Sequence, residues 1–189
     1  MHLDNKTALL LIDIQKGFED IDYWGGRRNN LDAEANAGKL LNLWRQKDWP
    51  IYQIKQNSTN PQSPLVKGKY GNAIQDVVQP QEGEPVLEKT VNSAFIGTHL
   101  QQMLADKGIG KVVIVGMTTD HCISTSVRMS ANLGFETTMV DDAIATFDKV
   151  SKEGKKFSAE LVHELSLASL EGEFAEQVST QDVMTALNA

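Results

Sequence analysis

Three side chains with complementary chemistry each come at the end of an apolar run in this 189-residue chain. Asp13 directly follows one run, Lys89 follows a second, Pro85-Val86-Leu87-Glu88, and Cys122 lies a short turn beyond a third. The carboxyl ends of parallel strands form the ligand-binding edge of an open α/β sheet. We therefore expect a carboxylate, an ammonium group and the chain's single thiol to meet at one edge.

The chemistry of these groups predicts nucleophilic catalysis. A thiol is a strong nucleophile only as the thiolate, and a nearby cation or a helix N-terminus lowers its pKa. Lys89 is the candidate cation, and Asp13 is the candidate general base that accepts the thiol proton and passes it to a leaving group. Backbone N–H groups of the turn before Cys122 are candidate donors to an oxyanion.

Each residue also has a structural interpretation. A single cysteine is most often an inert buried residue, an Asp after a strand often forms a turn, and a Lys there is commonly solvated. Their expected arrival at one sheet edge favours catalysis. Thiol reactivity distinguishes the two: an activated Cys122 should react with iodoacetamide well below about pH 8.5, the ordinary thiol pKa.

The spacing of apolar residues predicts alternating strands and helices. A continuous apolar run, typical of a strand buried on both faces, lies at 8–12, and similar segments lie at 51–54, 112–115 and 137–140. Residues 85–87 are a shorter candidate strand, and 174–178 are a candidate sixth strand. Helical spacing is found at 33–47, 94–107, 120–133, 158–168 and 181–187. This alternation predicts an α/β fold, a three-layer α/β/α sandwich, and the length suits one domain over residues 1–189.

Two segments lack a regular pattern. Residues 57–84, rich in Pro, Gly, Ser and Asn, are long enough to be a lid or a pocket wall, and a plain surface excursion is equally compatible with their composition. Residues 20–30 include Tyr23-Trp24-Gly25-Gly26-Arg27-Arg28, which is a candidate lid or subunit contact.

The overall composition excludes several classes of protein. A net charge of -7 argues against a nucleic-acid-binding surface, which needs clustered Lys and Arg. One cysteine allows no internal disulfide, and neither a signal-peptide pattern nor a run long enough to span a bilayer is found. We expect a cytoplasmic protein without nucleic-acid or membrane partners.

Three motifs in this order make the chain resemble the isochorismatase-like cysteine hydrolases, which include nicotinamidases and N-carbamoylsarcosine amidases. Residues 10–18 (LLIDIQKGF) are similar to the family's aspartate motif, and Glu88-Lys89 with Asn92-Ser93-Ala94-Phe95 to its lysine motif. Residues 116–122 (GMTTDHC) are similar to its nucleophile motif, and Asp141-Asp142-Ala143 to the end of its fifth strand. The likeness covers nearly the whole chain.

The resemblance implies a catalytic triad of Asp13, Lys89 and Cys122. It also implies a cis peptide between Met117 and Thr118, and an oxyanion hole made by the backbone N–H groups of Thr118 and Cys122. The implied fold is a six-stranded, mostly parallel sheet of order 3-2-1-4-5-6. Family members are commonly oligomeric, so a homo-oligomer is expected.

The chain departs from the nicotinamidases at their metal site. They hold a metal through an Asp and two His after the second strand, whereas residues 53–60 contain no histidine here. The chain's four histidines lack the close pairing that zinc sites favour; they are His2, His99, His121 and His163. We expect no metal and no other cofactor, and a structural or subunit-contact role for His163.

Side chains next to the motifs are candidates for the substrate pocket. Ligand pockets are mostly apolar, and the neighbouring aromatic residues are Phe18, Tyr23, Trp24 and Phe95. Packing is the plainer interpretation of any aromatic residue, and Phe18 and Phe95 are the favoured pocket members. Gln15 and Asn92 are expected to orient a polar group of the substrate.

These residues and the resemblance predict a metal-independent cysteine hydrolase that cleaves an amide or carbamoyl C–N bond of a small molecule through a thioester on Cys122. Isochorismatases proper cleave a vinyl ether without a cysteine nucleophile. That reaction, with Asp13 as general acid, is one alternative. A non-catalytic scaffold that retains the fold is the other, because fold alone does not establish activity.

Overall fold

The computed structural model describes residues 2–188 and contains a six-stranded parallel sheet between two helical layers. The sheet strands are β1 (Thr7–Ile12), β2 (Ile51–Gln56), β3 (Val86–Lys89), β4 (Lys111–Met117), β5 (Glu136–Ala145) and β8 (Glu176–Val178). A separate antiparallel pair is formed by β6 (Lys149–Val150) and β7 (Lys156–Phe157). The sheet order β3-β2-β1-β4-β5-β8 confirms the prediction, with β8 as the sixth strand.

Helices cover both faces of the sheet. They are α1 (Ile21–Trp24), α2 (Ala33–Gln46), α3 (Leu100–Asp106), α4 (Ser124–Asn132), α5 (Ala159–Ala168) and α6 (Thr180–Asn188). Alternate residues of β1 point to opposite faces: Leu9 and Leu11 join the cluster that includes α2 and α6, whereas Leu10 and Ile12 join the cluster that includes α3 and α4. This two-sided burial explains why β1 is apolar at every position.

Several boundaries differ from the prediction because local hydrogen bonds intervene. The helix expected over 94–107 begins only at Leu100, since Gly97 has a left-handed backbone (φ 74) and the Thr98 hydroxyl donates to Ala94 O at 2.6 Å. The helix expected over 120–133 starts as a π-helical turn, Thr119–Ile123, and continues as α4. The strand expected over 174–178 is limited to β8.

The long segment 57–84 folds back against the carboxyl end of β2. Its buried anchor is Asn72, whose Nδ2 donates to Gln56 O and Leu65 O, both at 2.9 Å. Two short 3-10 turns, Tyr70–Asn72 and Asp76–Val78, complete the connection to β3. Four residues of this segment line a cavity together with Asp13 and Cys122, so the structure supports a pocket wall over a plain surface excursion.

No helix within residues 2–188 is long and apolar enough to cross a membrane.

Candidate active site

Asp13 is the first residue after β1, and its backbone conformation turns its side chain into the sheet edge. The backbone is left-handed (φ 55), which is uncommon for a residue with a side chain and is tolerated best by Asp and Asn. Its N–H donates to Ile54 O at 2.8 Å, so the turn is held against β2. The carboxylate is 1% exposed, and its Oδ1 has no hydrogen-bond partner among the described residues.

Lys89 connects the other two predicted catalytic residues. It is the last residue of β3, its side chain is 0% exposed, and its ammonium group Nζ lies 2.7 Å from Asp13 Oδ2 and 3.3 Å from Cys122 Sγ. Nζ also contacts Gln56 Oε1 at 2.6 Å and Val91 O at 3.2 Å. The structure thus brings Asp13, Lys89 and Cys122 together, as the strand-end argument predicted.

Cys122 is held by an irregular turn at the end of β4. Gly116 has φ 131 and approaches β1 so closely that a Cβ there would lie 1.8 Å from Ile12 O. The Met117–Thr118 peptide bond is cis, and the π-helical turn that contains Cys122 follows. The thiol is therefore buried within a turn and does not sit at the first residue of an α-helix.

The electrostatics of the site favour a single shared proton between the two buried acids, Asp13 and Cys122. Burial raises the pKa of Asp13, although the Lys89 ammonium opposes this. Burial also raises the pKa of the Cys122 thiol, the negative charge of Asp13 raises it further, and Lys89 only partly offsets both effects. Loss of the proton to water would leave a buried net negative charge, which is costly. Lys89 lowers the thiol pKa, as expected from the sequence, but burial and the charge of Asp13 outweigh it, so the net shift in the resting site is upward.

A cavity of about 170 Å³ opens above these residues. Its walls come from the two segments that lacked a regular sequence pattern and from the nucleophile turn. The lining residues are Asp13, Phe18, Tyr23, Trp24, Gln56, Ser58, Asn60, Ser63, Leu65, Asn92, Thr118, His121 and Cys122. Thr118 Oγ1 is a second buried polar atom without a partner in the part of the chain that the structure describes. Unpartnered buried polar atoms are rare in folded proteins, and both of these belong to residues that line the cavity.

Two of the four favoured pocket residues line this cavity and two do not. Phe18 and Asn92 are in the lining, and Asn92 Oδ1 lies 3.9 Å from Cys122 Sγ. Gln15 is instead buried beneath it, where its amide bonds to the backbone N and O of Gln56 at 2.8 and 3.1 Å. Phe95 belongs to the core between sheet and helices and stacks on Phe135, with centroids 5.9 Å apart.

The sequence reasoning missed lining residues of segment 57–84 and one strand-end residue. Gln56 ends β2 and contacts Lys89, so the strand-end argument that selected Asp13 would also have found it. Ser58, Asn60 and Leu65 carry no comparable signal, since they lie in a segment without periodicity that is held by hydrogen bonds such as the one from Asn72 Nδ2 to Leu65 O. His121 is part of the quoted nucleophile motif, but no role was assigned to it.

His163 supports the nucleophile turn from α5. Its ring is buried, and Nδ1 lies 2.9 Å from Thr119 Oγ1, next to the Met117–Thr118 cis peptide. Burial lowers the pKa of His163. Nε2 lies 3.4 Å from Asn30 Nδ2, which also donates to the carbonyl of Ile144 in β5. This placement agrees with the structural role that was predicted for His163.

No group of three or more His, Cys, Asp or Glu side chains within residues 2–188 is arranged to hold a metal ion. A larger groove of about 510 Å³ lies near the amino ends of β2 and β3, where Pro50 and Pro85 are part of its lining. None of the predicted site residues lines it.

Comparison with known proteins identifies the family to which this chain belongs. The isochorismatase domain matches residues 7–182. The uncharacterized isochorismatase family protein YrdC of Bacillus subtilis is 42% identical over 182 residues, 96% of each chain. Ureidoacrylate amidohydrolase RutB of Rhizobium rhizogenes is 37% identical, with 74% of this chain and 70% of that protein covered. A crystal structure of an isochorismatase-family protein from Chromobacterium violaceum has a TM-score of 0.94 and 38% identity, and the match covers 100% of this chain and 97% of that one. The chain therefore belongs to the isochorismatase family of hydrolases.

Proposed function

We propose that this protein is a metal-independent cysteine hydrolase that cleaves the C–N bond of a small amide or carbamoyl compound through a thioester on Cys122. The observation that supports it most directly is the Lys89 ammonium group, which contacts Asp13 Oδ2 at 2.7 Å and Cys122 Sγ at 3.3 Å below a cavity. The amidohydrolase name of the Rhizobium rhizogenes relative supports the choice of bond.

Acylation begins with proton transfer within the buried triad. Asp13 takes the thiol proton, which converts a carboxylate and a thiol into a carboxylic acid and a thiolate without changing the net charge of the site. Lys89 stabilises either negative charge. The thiolate attacks the carbonyl carbon, and the backbone N–H groups of Thr118 and Cys122 donate to the oxyanion. Asp13 then protonates the departing nitrogen, and the acyl group remains on sulfur.

Deacylation reverses these roles. Asp13, again a carboxylate, takes a proton from a water molecule that attacks the thioester carbonyl. The same two backbone N–H groups donate to the second oxyanion, and the carboxylic acid product leaves as Cys122 recovers its proton. Asp13 Oδ1, which is buried and unpartnered among the described residues, is the acceptor available for both proton transfers.

A turnover screen with a blank variant tests this proposal. Wild-type protein and Cys122→Ala are assayed for ammonia release from small amides and carbamoyl compounds and for vinyl-ether cleavage of isochorismate. Amide turnover that is lost in Cys122→Ala, together with an acylated Cys122 trapped by rapid quench and detected by mass spectrometry, supports the proposal. Turnover that persists in Cys122→Ala overturns the thioester mechanism, and vinyl-ether cleavage lost only in Asp13→Asn selects the alternative.

A further inference from the structure

One wall of the cavity is a fixed aromatic surface. Phe18 stacks on Trp24 with centroids 4.5 Å apart and an interplanar angle of 28°, and Tyr23 meets Trp24 edge-on at 4.9 Å. The indole Nε1 donates to Gly17 O at 2.8 Å, which fixes the ring of Trp24. A rigid aromatic wall contacts flat, apolar groups well, because ring faces offer large contact area at little entropic cost.

The polar groups of the cavity are electrically neutral apart from the triad. Ser58, Ser63, Asn60 and Asn92 contribute hydroxyl and amide groups, and no Arg or Lys is part of the lining that the structure describes. The nearby ammonium group of Lys69 is already bonded to the carbonyls of Pro61 and Ser63, at 2.8 and 3.0 Å.

The remaining candidate cation is His121, and its surroundings make it a weak partner for an anion. Its side chain is 55% exposed, and Nε2 lies 3.3 Å from the carboxylate of Asp120. That carboxylate also pairs with Lys149 at 3.2 Å. A protonated His121 therefore already has a counter-ion, and water screens the rest of its charge.

A carboxylate on the substrate would meet an unfavourable electrostatic environment here. It would lose water on entering the cavity without gaining a buried cation, and desolvation of an unpaired charge is strongly unfavourable in a protein interior. It would also share the cavity with the carboxylate of Asp13. Lys89 cannot compensate, because its ammonium group is 0% exposed and makes four contacts below the cavity floor.

We propose that this site takes a small, uncharged amide with a flat apolar body, held between the aromatic wall of Phe18 and Trp24 and the neutral polar groups of segment 57–84. The proposal rests on the proposed function and specifies its substrate class. The cavity volume of about 170 Å³ limits the substrate to fewer atoms than a drug-sized ligand. Amides that carry a carboxylate, the class to which ureidoacrylate belongs, are poor substrates in this arrangement.

Two matched pairs of amides test the proposal. Para-methylbenzamide is compared with para-carbamoylbenzoate, and trans-crotonamide with fumaramate; each pair exchanges a methyl group for a carboxylate on the same carbon skeleton. The wild-type protein should give a kcat/KM for ammonia release that is about 100-fold higher for the uncharged member of a pair. Equal or higher efficiency with the carboxylates overturns the proposal.

A charge added at the cavity rim tests the cause of this preference. Asn60 lines the cavity and is exposed, so an arginine can be accommodated there. Asn60→Arg should raise kcat/KM for the carboxylate member relative to its uncharged partner by about 10-fold or more. Asn60→Gln, the neutral control, should leave the ratio as in the wild type. An unchanged ratio in Asn60→Arg contradicts the electrostatic argument.

Binding separates failure of this inference from failure of the proposed function. Calorimetric titration of Cys122→Ala with the four compounds measures recognition without turnover. Tighter binding of the uncharged members supports the inference even where neither member is hydrolysed, and tighter binding of the carboxylates, or no binding of any of the four, overturns it. Turnover that survives in Cys122→Ala contradicts the thioester mechanism whatever the charge of the substrate.

Discussion

Replacing Asp13 by Asn should lower the pKa of Cys122 while it abolishes amide hydrolysis. In the wild-type site the charge of Asp13 raises the thiol pKa, so the carboxylate and the thiolate compete for one ammonium group. In Asp13→Asn the Lys89 ammonium, 3.3 Å from Sγ, has no other anionic partner among residues 2–188. The thiolate and Lys89 then form the electrically neutral pair that burial favours.

The size of this effect follows from Coulomb's law. Lys89 Nζ lies 2.7 Å from Asp13 Oδ2 and 3.3 Å from Cys122 Sγ, so the carboxylate oxygen and the sulfur are at most about 6 Å apart. At that distance and an effective dielectric constant of about 20, the repulsion that the substitution removes is about 3 kcal/mol. At about 1.4 kcal/mol for each tenfold change, we expect the thiol titration to move down by about two pH units or more relative to the wild type. Turnover should nevertheless be lost, since Asn cannot take up the thiol proton or give one to the leaving nitrogen.

Ultraviolet absorbance of the thiolate and the rate of alkylation by iodoacetamide measure this directly. Cys122→Ser supplies the blank, and the thermal melting of Asp13→Asn verifies that it folds. Asp120→Asn is the matched control, because Asp120 is a carboxylate two residues from Cys122 that does not contribute to the thiol's raised pKa. A thiol in Asp13→Asn that titrates where the wild-type thiol does would refute the shared-proton account of the site.

Three further perturbations test other parts of the structure. Lys89→Met should lower kcat/KM for an amide substrate by about 1000-fold or more and destabilise the fold by about 3 kcal/mol, since it leaves the Asp13 carboxylate buried alone. The control in both assays is Lys67→Met, because Lys67 forms an exposed ion pair with Glu88. The lowered pKa of His163 means that the unfolded chain binds more protons, so stability should fall as the pH drops below about 6.5. Melting temperatures measured against pH should fall less steeply in His163→Asn than in the wild type, and an identical slope in both would exclude His163 as the cause. Gly116→Ala should cost at least about 3 kcal/mol in urea unfolding, because its Cβ would overlap Ile12 O, whereas Gly110→Ala, with open space around it, should stay within about 0.5 kcal/mol.

The sheet and the meeting of the triad were predictable because both depend on short-range sequence patterns. A strand buried on two faces must be apolar at each position, as in β1, and the residue that follows it must lie at the carboxyl edge of the sheet. These two facts placed Asp13 and Cys122 near each other before any geometry was known. Lys89 followed from the same argument, although it proves to be the last residue of β3 and does not follow the strand.

The pocket walls were harder to predict because side-chain hydrogen bonds without sequence periodicity hold them. Asn72 fixes segment 57–84 through bonds to Gln56 O and Leu65 O, and nothing in its neighbourhood in the sequence indicates these partners. The position of Phe95 was hard to predict for the same reason. The left-handed Gly97 and the hydrogen bond of the Thr98 hydroxyl give the chain after β3 an irregular conformation, and Phe95 packs in the core. A residue's proximity to a motif in the sequence therefore did not determine whether its side chain lines the cavity or packs in the core.

The direction of the thiol pKa depended on a balance that residue types alone do not give. A cation beside a thiol lowers its pKa when the two form a pair, but Lys89 is bound more closely to Asp13, at 2.7 Å, and to Gln56, at 2.6 Å, than to Cys122, at 3.3 Å. The ammonium group therefore chiefly stabilises the charge of the Asp13 carboxylate against burial, while burial and that charge raise the thiol pKa. On the proposed mechanism, the resting enzyme therefore holds Asp13 as a charged base and Cys122 as a thiol that still carries its proton. The thiolate then forms only when its charge can pass at once to a bound carbonyl, so the raised pKa of Cys122 and its role as nucleophile are compatible.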